Sequence, residues 1–130
     1  MKVKFIGLLI LFLILISCKG ITTPDIPPLK KANLILDGEL SRTMTSYGCP
    51  QFEGYVKNTG NNTGYNCMIS ITCYSDTAKT TIIDTAKGFP ANLGDIPAGI
   101  RAYFNAVAFD CISHNQIKET SIKITWLDRQ

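Results

Sequence analysis

The chain has 130 residues, enough for one domain and little more. Its 13 basic and 10 acidic side chains give a formal charge of +3, and two of the lysines, Lys2 and Lys4, lie in the first four residues. Without those two the balance is 11 basic to 10 acidic, which lacks the basic stripe of a nucleic-acid binder.

Behind Lys2 and Lys4, residues 5–16 are apolar except for Gly7. A membrane-spanning helix needs about 20 apolar residues at about 1.5 Å each, so a run of this length fits the core of a secretion signal instead. The run ends in Leu15-Ile16-Ser17-Cys18. This resembles the bacterial lipobox, with an aliphatic residue three positions before an obligatory cysteine and a small one directly before it. The resemblance implies that the Cys18 thiol is alkylated by a diacylglyceryl group and that a signal peptidase cuts before it, where Ser17 fits a small subsite. Residues 1–17 are therefore expected to be a signal peptide. The mature chain would be tethered by two or three acyl chains, which hold where one holds only marginally. Lys19 stands where an aspartate favours inner-membrane retention. The expected location is thus the outer membrane of a two-membrane cell, or otherwise the outer face of the plasma membrane.

Residues 18–32 form the expected tether. Pro24, Pro27 and Pro28 each fix φ and lack an N–H, which excludes helix and strand pairing around them. Extended and polyproline-like, the twelve residues 20–31 would hold a domain up to ~35 Å from the bilayer at about 3.1 Å per residue. Lys30 and Lys31 read as part of a solvated spacer, with lipid headgroups as the alternative contact.

From residue 33 the pattern becomes short alternating segments between turns. Residues 34–40 read as a first strand. In residues 51–57, Phe52, Gly54 and Val56 share one face, and the Asn/Gly-rich stretch 58–64 is a turn. In residues 65–74, Cys67, Ile69, Ile71 and Cys73 share one face, while Met68, Ser70, Thr72 and Tyr74 share the other. Residues 80–85 are β-branched. Residues 101–111 carry Phe104, Ala106 and Ala108 as an inward set, and residues 121–127 place Ile122, Ile124 and Trp126 together. Six or seven strands with no amphipathic helix predict an all-β sandwich over residues 33–130.

Three stretches resemble the FxLYD domain, an immunoglobulin-like sandwich of secreted bacterial proteins and lipoproteins. Residues 52–60, with Phe52, Gly54, Val56, Asn58 and Gly60, look like its apolar-x-Gly-x-Val-x-Asn-x-Gly motif. Residues 66–76 look like the following strand, which ends in an aromatic and an aspartate, here Tyr74 and Asp76. Residues 93–99, followed by Phe104, look like its Leu-x-Pro-Gly turn leading to an inward phenylalanine. Cys73 and Ser75 depart from the pattern. The resemblance implies an immunoglobulin-like sandwich of about seven strands outside the cytoplasm, and it brings no catalytic residues.

Four cysteines remain after Cys18: Cys49, Cys67, Cys73 and Cys111. Six residues of strand separate Cys67 from Cys73 by ~20 Å, too far to pair. In an immunoglobulin-like topology the strand from Gln51 runs antiparallel to the one from Arg101. That brings Cys49 beside Cys111, the expected disulfide, with Cys73 the main competitor and Cys67 a buried free thiol at the other end. No C-x-x-C spacing points to a metal, and no metal or cofactor is expected.

Candidate chemistry is sparse. His114 is the lone histidine, in a loop, and Asp110 and Cys111 lie near it in sequence. A small periplasmic enzyme or thiol protein using Cys111 or His114 is the alternative reading. The carboxylates are scattered, with no catalytic pair. Tyr55, Met68 and Tyr74 are candidate neighbours on an outer sheet face. They form a binding surface in one reading and a cross-strand stabilising cluster in the other. The sequence thus predicts a non-catalytic envelope lipoprotein whose domain meets a protein or other envelope component.

Overall fold

The computed structural model describes residues 27–90, 94–111 and 113–129. The expected signal peptide, Cys18 and the first part of the tether lie outside these residues, as does Leu93 of the third motif. Seven strands form: β1 (Leu34–Leu36), β2 (Ser41–Met44), β3 (Pro50–Asn58), β4 (Gly64–Tyr74), β5 (Ile82–Gly88), β6 (Arg101–Val107) and β7 (Glu119–Asp128). A 3-10 turn at His114–Gln116 precedes β7. It is held by a capping box in which Ser113 and Gln116 satisfy each other's backbone N–H groups. The predicted all-β fold is what forms.

All pairings between named strands are antiparallel, in the order β1-β3-β6-β5-β4-β7, with β2 also on β3. β1 and β2 share one edge of β3: β1 pairs with its last residues and β2 with its first. β3 and β6 pair along seven residues, whereas β5 and β6 pair at Lys87 and Val107 alone. That single link divides the sheet into two halves, β1-β2-β3-β6 and β5-β4-β7, which fold over one another in a sandwich-like arrangement. The first half contributes Phe52, Val56, Phe104 and Ala106 to the core, and the second Cys67, Ile69, Ile71, Cys73 and Ala86. All are essentially without solvent contact. Fully burying one large apolar side chain stabilises the fold by about 1.5–3 kcal/mol, so this shared core is what joins the halves.

The inward sets expected on β3, β4 and β6 are the buried sets. On β7 the trio splits: Ile124 and Trp126 pack on the core, while Ile122 is 36% exposed. β7 pairs only with β4 and forms the sheet edge, so its side chains are less covered. The expected strand at 34–40 is shorter than predicted. The chain leaves the ladder at Asp37 and Gly38, where Gly38 takes φ +94°, and re-pairs as β2. β2, reading Ser-Arg-Thr-Met, carries no apolar alternation and was not visible as a strand. β5 runs on to Gly88, past the β-branched stretch.

The end where β1 begins is tied by polar contacts. Asn58 is the one buried polar or charged side chain in the core among the described residues. Its side-chain amide donates to the carbonyl oxygens of Asn62 (2.7 Å) and Ile96 (2.9 Å), and its Oδ1 accepts from the N–H groups of Asn33 (3.1 Å) and Gly60 (3.0 Å). One residue thereby joins the entry to β1, the β3–β4 turn and the segment before β6. A Cβ on Gly60 would lie 2.3 Å from the Lys31 carbonyl oxygen, so only glycine lets the turn approach the incoming chain. The Ala32 N–H donates to Asp128 Oδ1 at 2.8 Å, which fastens the same entry to the end of β7.

Candidate functional site

The outward face of β3 and β6 carries a group of exposed aromatic and charged side chains. Strand alternation sends Phe52, Gly54 and Val56 inward, and therefore Glu53, Tyr55 and Lys57 outward. The register places Tyr55 opposite Tyr103 and Lys57 opposite Arg101. The two tyrosine rings meet edge-on, with centroids 5.6 Å apart and planes at 68°. The Arg101 guanidinium lies 3.7 Å from the Tyr55 ring centroid, and its Nε donates to Asp37 Oδ2 at 2.7 Å. Asp37 is in turn fixed by its own N–H, which donates to the Tyr55 carbonyl at 2.8 Å. Partial burial, with the nearby Glu53 carboxylate that the hydroxyl hydrogen-bonds, pushes the Tyr103 pKa up. Tyr55 and Tyr103 are 39% and 42% exposed, and Ile35 on the adjoining β1 is 42% exposed. Arg101 and Asp37 are both well exposed, so their pair adds only about 0–1 kcal/mol and chiefly orients Arg101 on the ring.

The predicted trio is not brought together. Tyr55 lies on β3, whereas Met68 and Tyr74 lie on β4, with β6 and β5 between them in the sheet order. Tyr74 meets Ser121 of β7 through its hydroxyl at 3.2 Å, and the Met68 carbonyl accepts from the Thr125 hydroxyl at 3.4 Å. All three side chains face outward as expected, but from opposite halves of the sandwich. The neighbour that sequence reasoning missed for Tyr55 is Tyr103, since it takes the β3–β6 register to place them side by side.

Cys49, Cys67, Cys73 and Cys111 are all free thiols, so the bridge expected between Cys49 and Cys111 is not formed. The strand order behind that expectation is present, with Gln51 opposite Val107. Side-chain direction works against the pairing. Cys49 shares the outward parity of Gln51 and Glu53 and is only half-buried, whereas Cys111 is buried in the core. Cys67 lies at the end opposite to the other three and is fully buried, with its pKa pushed by that burial from 9.0 to about 11. Burial chiefly raises the Cys73 thiol to about 11 as well, with added repulsion from Cys111 and Asp84, and it raises Cys111 too. None of these buried thiols has the lowered pKa of a nucleophile.

His114 bonds through Nε2 to the carbonyl oxygen of Thr43 at 2.5 Å, and its ring meets the Phe52 ring edge-on at 5.7 Å. A carbonyl only accepts, so Nε2 donates this hydrogen bond. Nδ1 is buried and without a hydrogen-bond partner, out of reach of a substrate. Among the described residues no three His, Cys, Asp or Glu side chains converge as metal ligands, and no helix is long and apolar enough to cross a membrane. An open cleft of about 400 Å³ lies where the tether meets the domain, lined by Leu29, Lys30, Asn62 and Arg129.

The fold and this face define a small antiparallel sandwich-like domain with an aromatic and arginine cluster on one outer surface. No protein-family model matches the chain, and no curated protein or solved structure matches it either.

Proposed function

We propose that the chain is a membrane-tethered extracytoplasmic lipoprotein, and that its FxLYD-like, immunoglobulin-like domain acts as a non-catalytic binding or structural module of the cell envelope. The observation that carries the reading is Leu15-Ile16-Ser17-Cys18 closing a 12-residue run behind Lys2 and Lys4. The domain is compatible with it. The incoming chain and the end of β7 are fastened to each other at one end of the sandwich, which leaves the opposite loops free to point away from a membrane. The exposed Tyr55, Tyr103 and Arg101 are residue types that anchor protein interfaces. The alternative enzyme or thiol protein using Cys111 or His114 gains nothing from a buried thiol of raised pKa or from a ring whose Nδ1 is enclosed.

The test is acyl labelling of the full chain expressed in bacteria, with intact mass read alongside. The wild-type chain is expected to incorporate a palmitate analogue and to begin at Cys18, and Cys18→Ser to lose the label and keep Met1. An unlabelled wild-type chain that retains Met1 would overturn the proposal.

A further inference from the structure

The chain enters the sandwich beside the open cleft lined by Leu29, Lys30, Asn62 and Arg129. The β3–β4 turn fixes both of its walls. Lys31 and Asn61 exchange two hydrogen bonds, at 2.8 and 3.0 Å, and the Asn62 amide donates to the Arg129 carbonyl oxygen at 3.1 Å. The Arg129 guanidinium rests over the Tyr65 ring, 4.5 Å from its centroid, which orients the cation. Among the described residues, Lys30, Lys31 and Arg129 have no ion-pair partner. Leu29, beside them, is 57% exposed.

Charge divides along the length of the molecule. Lys57 and Arg101 stand opposite each other at this same end, so it holds five cations with Lys30, Lys31 and Arg129. Three carboxylates meet them there: Asp37, Asp95 and Asp128. The far end, around the last residue of β4, has the opposite balance. There Arg42, Lys79 and Lys118 meet Asp76, Asp84, Asp110 and Glu119. The positive end is the one that receives the tether.

We propose that this end docks the domain on the bilayer that anchors it, with Lys30 and Arg129 taking the phosphate of an anionic phospholipid headgroup in the cleft. The docking rests on acylation at Cys18, as proposed above. Ammonium and guanidinium groups give a phosphate charge-assisted hydrogen bonds, and the exposed Leu29 enters the interfacial layer beside it. A bilayer repeats such headgroups, so Lys31 and Lys57 find partners around the cleft, which a single soluble anion would not supply. Lys30 lies twelve residues after Cys18, a reach of up to ~37 Å at about 3.1 Å per residue. The extended tether is then the upper limit of the domain's height, and the docked state its resting position. Each lysine or arginine at an anionic surface favours docking by about fivefold, and the attraction fades over about 8 Å at physiological salt.

For the test, the full chain is purified from a bacterial host and reconstituted into vesicles of phosphatidylcholine, alone or with about one third phosphatidylglycerol. Lysines are labelled with an impermeant amine reagent and quantified by mass, with the exposed Lys118 of the far end as internal reference. Lys30 and Lys31 are expected to react several-fold more slowly in the anionic vesicles, and Lys118 at one rate in both. Salt at about 0.5 M should abolish the difference. Arg129→Glu should restore fast labelling of Lys30 and Lys31. Lys30→Glu should do so at Lys31 without touching the Tyr65 contact. Lys123→Glu, which carries the same net charge away from the cleft, should keep the slowing. Equal labelling of the acylated chain in both vesicles overturns the docking, as does slowing that survives Arg129→Glu and Lys30→Glu. Equal slowing by inorganic phosphate in pure phosphatidylcholine vesicles would make the cleft a soluble-anion site and overturn the membrane assignment. A chain that keeps Met1 and carries no acyl group overturns the lipoprotein reading itself, and the docking with it.

Discussion

Asn58 shows how much one residue can hold. Its four side-chain hydrogen bonds are made in the core, where each donor or acceptor left without a partner costs about 1–3 kcal/mol. Asn58→Ala would strand the N–H groups of Asn33 and Gly60 and the carbonyl of Asn62, and would leave the Ile96 carbonyl with the Gly64 N–H alone. We expect a loss of about 2–4 kcal/mol, measured by urea denaturation, with little change in the slope of the transition. Asn58 was legible in the sequence only as a turn former in the Val-x-Asn-x-Gly stretch. Its burial and its reach to Ile96 follow from the approach of a segment 38 residues away along the chain. At Cys49 the sequence already held the corrective signal. With Phe52, Gly54 and Val56 facing inward, alternation turns Cys49 outward.

At the scale of elements, the β4–β5 hairpin is closed by the Asp76 carboxylate together with the Ser75 N–H, which donates to the Thr81 carbonyl at 3.0 Å. Asp76 accepts the N–H groups of Thr80 (3.1 Å) and Thr81 (2.7 Å), and Lys79 turns the chain at φ +58°. These hydrogen bonds, that from Thr80 first, hold the Asp76 pKa below its usual value of 3.8. A depressed folded pKa means that the contribution is present above the unfolded pKa and lost as pH falls through the folded one. Acidification below about pH 4 is therefore expected to lower the amide-exchange protection factors of Thr80 and Thr81, taken relative to intrinsic rates at the same pH. Asp76→Ala should show that lower protection, and so faster exchange, already at pH 7, and its protection factors should not change over the acid range. Equal exchange in both proteins at pH 7 would refute the closure. β4 and β6 were legible because their apolar residues alternate. β2 was not, because an edge strand of Ser-Arg-Thr-Met owes its pairing to β3 alone.

The whole molecule is unified by a core drawn from both halves, and three of its members are thiols. Cys67 and Cys73 titrate in the folded state at about 11 instead of 9.0, and Cys111 is also raised. For a raised folded pKa the stability is complete below the unfolded value and is lost as pH rises through the folded one. Under reducing conditions the domain should thus hold its full stability below about pH 8 and weaken from pH 9 towards 11. Cys67→Ala should start from a lower stability, because it leaves a small cavity, and lose less of it over that interval. Parallel pH profiles for the two proteins would show that Cys67 is not part of the effect.

By itself the sequence determined the all-β class, the inward residues of β3, β4 and β6, and the separation of Cys67 from the other thiols. These follow from a two-residue period and a rise of about 3.3 Å per residue, both local properties of a strand. Tertiary structure alone decided that Tyr55 meets Tyr103 and not Tyr74, that Asp37 and Arg101 complete that face, and that Asp84, opposite Cys73, accepts the Asp110 N–H. Those neighbours depend on strand order and register, which are selected when the two halves of the sandwich bury their apolar faces against one another.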